Sequence, residues 1–123
     1  MPLTITYLGH SGFLFSDGST TIAVDPFLTG NPRATMKPAE VKCNAIVLTH
    51  GHADHVGDAV EIAKKNRATL YGAFELCNLL NAKGVESVEH MNPGGRIKTK
   101  WGFTHPVTMR IMRASTPASR AVR

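Results

Sequence analysis

The chain has 123 residues, enough for one small domain with its own core, and its hydrophobic fraction of 42% sits near the globular average. No stretch approaches the roughly 20 apolar residues that cross a bilayer, and Met1-Pro2-Leu3-Thr4 lacks the basic-then-apolar order of a signal peptide, so a cytoplasmic protein is expected. The net charge of +5 carries little information about partners, because Arg110, Arg113, Arg120 and Arg123 supply most of it and no acid follows Glu89.

Leu3 to Leu8 alternates in part and is rich in Thr, Ile and Tyr, which predicts a strand. Gly9-His10-Ser11-Gly12 breaks it, and Phe13-Leu14-Phe15 forms a second. Asp17-Gly18 is a hairpin signal, because glycine accepts the positive φ such turns need. Thr20 to Val24 returns as a third strand and stops at Asp25-Pro26. Pro26, Pro32 and Pro38, with Gly30 and Asn31, make residues 26–39 a loop; one this long is expected to rim a site.

Ala45-Ile46-Val47-Leu48 reads as a buried central strand, and Thr49-His50-Gly51-His52-Ala53-Asp54-His55 follows it. Asp58 is the expected N-cap of a helix over Ala59–Lys65. Arg67–Tyr71 is the next strand. Phe74–Ala82 is a second helix, with Phe74, Cys77 and Leu80 or Asn81 on its apolar side and Gly84 ending it. Val85–His90 is a strand, Asn92–Gly95 a turn, and Ile97–Phe103 a last strand. Strands alternating with helices argue an α/β fold with a mainly parallel sheet. Residues 1–103 are assigned to this domain, and 104–123 to a basic, poorly ordered tail. Cys43 and Cys77, 34 apart, read as small buried hydrophobes rather than a disulfide.

The segment after the central strand concentrates the chemistry. Three imidazoles and a carboxylate fall within six residues at the C-terminal end of a strand, where open α/β sheets place their sites. Imidazole and carboxylate are the ligands of hydrolytic zinc. His50 and His52, two apart, can project the same way from extended chain. Asp54 and His55 follow where the chain turns and can face a second point nearby, so one loop could serve two adjacent ions. A catalytic zinc keeps a position open for water and lowers that water's pKa to about 7. His10 sits in a Gly-His-Ser turn and is either a turn residue or, as the family resemblance below implies, a wall of the site. Asp25 is either an acceptor holding a ligand histidine from behind or a turn-capping residue. His90 reads as structural.

His50-x-His52-x-Asp54-His55 resembles the signature of the metallo-β-lactamase-fold hydrolases. Tyr7-Leu8-Gly9-His10-Ser11, Asp25–Pro32 and Met91–Gly95 resemble the branch related to ascorbate-6-phosphate lactonase, over roughly residues 3–103. The resemblance implies the N-terminal βα half of an αββα sandwich. It implies a first metal on His50 and His52 and a second on Asp54 and His55, with Asp54 also orienting or relaying the proton of the attacking hydroxide. Two zinc ions are implied for the full fold, with manganese or iron as alternatives that the same ligands accept. The remaining ligands of that fold come from its other half. No Asp follows Asp58 here, and Phe103-Thr104-His105-Pro106 does not match the motif carrying the later histidine, so a missing C-terminal half or an oligomer is expected.

The expected function is metal-dependent hydrolysis of a small-molecule ester, lactone or phosphoester. The alternative is a non-catalytic metal-binding half-domain. Nucleic-acid binding is disfavoured, because the charge sits in the tail and no basic patch with interleaved aromatics occurs in the body.

Overall fold

The computed structural model describes residues 2–91, 96–99 and 104–106; the turn expected at Asn92–Gly95, Lys100 to Phe103 of the last expected strand, and the tail beyond residue 106 lie outside them. The chain begins as an antiparallel meander, β1 (Thr4–Gly9), β2 (Gly12–Ser16) and β3 (Thr21–Val24). β4 (Ala45–Val47), β5 (Thr69–Gly72) and β6 (Val88–His90) then add in parallel, giving one six-stranded mixed sheet in sequential order. The parallel joins need crossovers. α1 (Ala53–Val56) and α2 (Ala59–Asn66) connect β4 to β5, and α3 (Phe74–Ala82) connects β5 to β6. Arg96–Lys98 and Thr104–Pro106 pair separately as β7 and β8, the latter within the stretch assigned to the tail.

The pleat sorts side chains to two faces. Leu8, Ala23, Ile46 and Leu70 point to the helical side and join Ile62, Leu76, Cys77 and Leu80 in the main core. Full burial of a side chain such as Leu70 is worth about 1.5–3 kcal/mol. Ala59, Ile62 and Ala63 are the buried residues of α2, spaced three and four apart as one helical face requires. Burial pushes the thiols of Cys43 and Cys77 up to about 11, and both cysteines are free, in keeping with the hydrophobe reading.

Three local expectations are corrected. Asp58 occupies the N-cap position of α2 without a side-chain capping bond. Its carboxylate instead accepts from the amides of Leu28 and Thr29, both at 2.8 Å, and from the Thr29 hydroxyl at 2.7 Å. Three loop donors outbid the helix end, so Asp58 clamps the 26–31 segment. Arg67 does not start a strand: at φ 53° it is the left-handed C-cap of α2, and β5 begins at Thr69. Phe74 is 49% exposed, and Leu76 takes its expected place in the core beside Cys77 and Leu80.

Gly57 separates α1 from α2 at φ 46°, ψ −121°. A Cβ there would lie 2.4 Å from the Phe27 Cα and 2.6 Å from the Pro26 oxygen. Both obstacles are backbone and cannot rotate away. Gly57→Ala is expected to cost at least about 2 kcal/mol and lower the thermal midpoint by roughly 10 °C. An unchanged melting curve would show that the loop yields freely.

Candidate metal centre

The site forms where β3 and β4 end. The Asp25 amide donates to the Val47 carbonyl at 3.1 Å, which brings the end of β3 beside the end of β4. Asp25 is 2% exposed and sits at φ 45°, a left-handed conformation that aspartate tolerates better than most residues. Its carboxylate accepts three bonds. The Thr49 amide donates at 2.8 Å, the Thr49 hydroxyl at 2.6 Å, and His55 Nδ1 at 2.9 Å.

This arrangement fixes the imidazoles. A carboxylate acceptor requires a proton on His55 Nδ1, which leaves Nε2 bare in the neutral ring. The Thr49 hydroxyl has one proton, and the short bond to Asp25 uses it. Toward His50 Nδ1, 2.9 Å away, that oxygen can then only accept. Nδ1 of His50 therefore carries hydrogen and Nε2 is bare. That Nε2 lies 3.1 Å from His52 Nδ1. Two nitrogens bound at about 2.0–2.1 Å to one tetrahedral ion would be about 3.4 Å apart, so the pair is spaced for a shared ion. Burial, and next the neighbouring His55 and His52, hold His50 below the ordinary imidazole range, which keeps it in the neutral form a metal needs.

Asp54 and His55 lie on α1, a helix of four residues starting immediately after His52. His55 Nε2 is 3.9 Å from Asp54 Oδ1, and the His55 and His50 rings are 4.1 Å apart between centroids. Burial raises the Asp54 carboxyl, but His55 and the hydrogen bond from His10 outweigh it and leave the group below the usual carboxylate range. The donor set suits a divalent ion: bare imidazole nitrogens, an ionised carboxylate and acceptors braced behind two of the rings.

His10 stands at the tip of the β1–β2 hairpin at φ 59° and places Nε2 3.0 Å from Asp54 Oδ2. Its ring thus reaches across to Asp54, 44 residues away in sequence. The rim loop reaches the site through Phe27, whose ring meets the His10 ring edge-on at 5.7 Å. His90 pairs with Asn78 at 3.2 Å and stacks near Phe74 at 4.7 Å, apart from this cluster. His105 lies in β8, opposite Ile97.

Sequence reasoning missed Thr49, Gly57 and Tyr7. Thr49 carries Asp25's influence to His50. Tyr7 donates to the His10 carbonyl at 2.7 Å and steadies the hairpin tip. A threonine beside a histidine has no marking pattern, and only the pairing of β3 with β4 reveals its role.

Residues 4–110 match the family described as the beta-lactamase superfamily domain. A UPF0173 metal-dependent hydrolase of Archaeoglobus fulgidus is 52% identical over 97 residues, covering 79% of this chain and 41% of that protein. Among solved structures, Igni18, a metallo hydrolase from Ignicoccus hospitalis, superposes with a TM-score of 0.70 at 34% identity, covering 78% of this chain and 42% of that one. The metallo-β-lactamase SMB-1 shares the fold, with a TM-score of 0.54 at 24% identity over 76% of this chain and 46% of that one. The chain spans less than half the length of the curated relatives it matches.

Asp25→Asn keeps the shape but places an amide where an acceptor faces three donors. Zinc affinity, read by chelator competition, is expected to fall about 10–100-fold. Equal affinity in the variant would remove Asp25 from the site.

Proposed function

The chain belongs to the beta-lactamase superfamily, and on that premise we propose that it contributes the metal-binding half of a hydrolase site acting on an ester, lactone or phosphoester. The observation that carries this reading is the convergence of His50 Nε2 and His52 Nδ1 at 3.1 Å, with His50 braced from behind by Thr49. In it, His50 and His52 hold one ion and Asp54 and His55 a second. Zinc is the proposed metal, with manganese or iron compatible with the same donors. Bound there, the metal supplies Lewis-acid activation of water and of the scissile group.

The chain's own residues do the rest. Asp25 and Thr49 keep the rings aimed. Asp54, its side chain 49% exposed and held ionised, accepts the proton of the attacking water. Phe27 and His10 shield one flank. A small-molecule substrate fits the proposal, and the two unpaired, buried cysteines favour a reducing cytoplasm as the location. Among the described residues no helix is long and apolar enough to cross a membrane.

One observation favours the second reading, a non-catalytic metal-binding half-domain. The sheet face away from the helices is apolar along β1, β2 and β3, and Leu3, Ile5 and Tyr7 on it are 60%, 57% and 52% exposed. Such a face suits a second layer, which the relatives' greater length could supply.

The deciding experiment loads the chain with zinc and with manganese, counts metal per chain, and measures hydrolysis of p-nitrophenyl acetate and bis(p-nitrophenyl) phosphate. Turnover is expected, abolished by chelation, and Asp54→Asn should lower kcat by about 10²–10⁴. Bound metal without turnover selects the half-domain. Absence of bound metal sinks both readings.

A further inference from the structure

We propose that His10 is itself a metal ligand, completing a three-residue position with Asp54 and His55 inside this half of the fold. The inference rests on the metal reading above and deepens it, because that reading leaves the second ion with only two ligands from this chain.

The geometry supports closure. One donor atom from each of His10, Asp54 and His55 lies within 4.8 Å of the other two. Nε2 of His10 is 3.0 Å from Asp54 Oδ2, and His55 Nε2 is 3.9 Å from Asp54 Oδ1. The two histidines address different oxygens of the Asp54 carboxylate, and ligands at about 2.0–2.2 Å around a tetrahedral zinc stand about 3.4 Å apart, so a set lying within 4.8 Å closes on one ion with a small inward shift. His55 Nδ1 is already engaged by Asp25, which leaves Nε2 for this position. The rings of His10 and His55 meet edge-on, 5.5 Å between centroids.

The backbone is committed to this placement. His10 is held in a left-handed conformation, uncommon outside glycine, and such conformations persist where the surroundings over-determine them. Those surroundings are specific. Tyr7 grips the His10 carbonyl, and a Cβ on Gly9 would lie 2.5 Å from the Arg33 oxygen, so the hairpin tip is wedged against the rim loop. By the rule that applies to His55, Nε2 of His10 facing a carboxylate carries a proton, and a bound ion would take that proton's place between the two groups. The residues are also drawn from distant parts of the chain, the β1–β2 turn and α1. The site would therefore be assembled by folding and not by one flexible loop.

Cobalt(II) is the probe, titrated into the full chain with visible absorption and metal analysis as readouts. Wild type is expected to take two ions. His10→Ala should weaken the second ion at least tenfold and leave the first in place, with circular dichroism confirming the fold. His10→Gln, which can still donate to Asp54, should behave like His10→Ala. In His10→Cys a thiolate-to-cobalt charge-transfer band should appear in the near ultraviolet, because only a coordinating sulfur produces one. The same band should persist when His50 and His52 are both replaced by alanine. An unchanged second ion in His10→Ala, rescue by glutamine, or no charge-transfer band in the cysteine variant overturns His10 as a ligand while the reading above stands. A wild-type chain that binds no cobalt at all overturns both.

Discussion

A carboxylate shut away from water must be matched by donors, and Asp25 is the point where that demand shapes the molecule. Leaving such a charge unpaired would cost several kcal/mol. The fold answers with three donors from the segment after β4, the amide and hydroxyl of Thr49 and the Nδ1 of His55. Those bonds tie the end of β3 to the His50–His55 segment and decide which nitrogens stay bare. Stability and ring orientation thus depend on one side chain, so a change at Asp25 would disturb both together.

Around that point the molecule uses two clamps of different kinds. Asp58 draws the amides of Leu28 and Thr29 toward the α1–α2 junction and sets the base of the rim loop. Gly57 lets the chain pass close under Pro26 and Phe27 where no side chain fits. The first is a polar attraction and the second a steric permission. Both act at the base of the segment that carries Phe27, whose ring meets His10 edge-on.

The broad architecture was legible because it rests on period and punctuation. Alternation marked the meander, prolines marked the loop, and the Ala45–Leu48 run marked the strand that feeds the site. The sheet and both longer helices follow from those signals. α1 was not legible, since four residues show no helical period. Asp58 obeyed the local capping pattern in its position only, because its carboxylate found three better donors 29 and 30 residues away in sequence. Phe74 misled because it lies one three-residue step before Cys77, yet the buried set is Leu76, Cys77 and Leu80. At the site, residue type announced His50, His52, Asp54 and His55, whereas the part of His10 depended on where a hairpin tip lands in space. Thr49 shows the limit most clearly: its role exists only through a partner 24 residues earlier.

The short β4 carries a further meaning. Its register fixes Val24 opposite Val47 and Val47 opposite Tyr71, and the chain stays extended beyond it through Leu48, whose amide reaches the Tyr71 carbonyl. Side chains along such a path alternate, which sets Ile46 and Leu48 in the main core and Ala45 and Val47 on the other face. Sequence length is consequently constrained tightly there: between Ala45 and Leu48 a single gained or lost residue would invert the alternation, exchanging the inward and outward roles of every position at once. That short tract behaves like a reading frame, tolerant of some substitutions and intolerant of shifts.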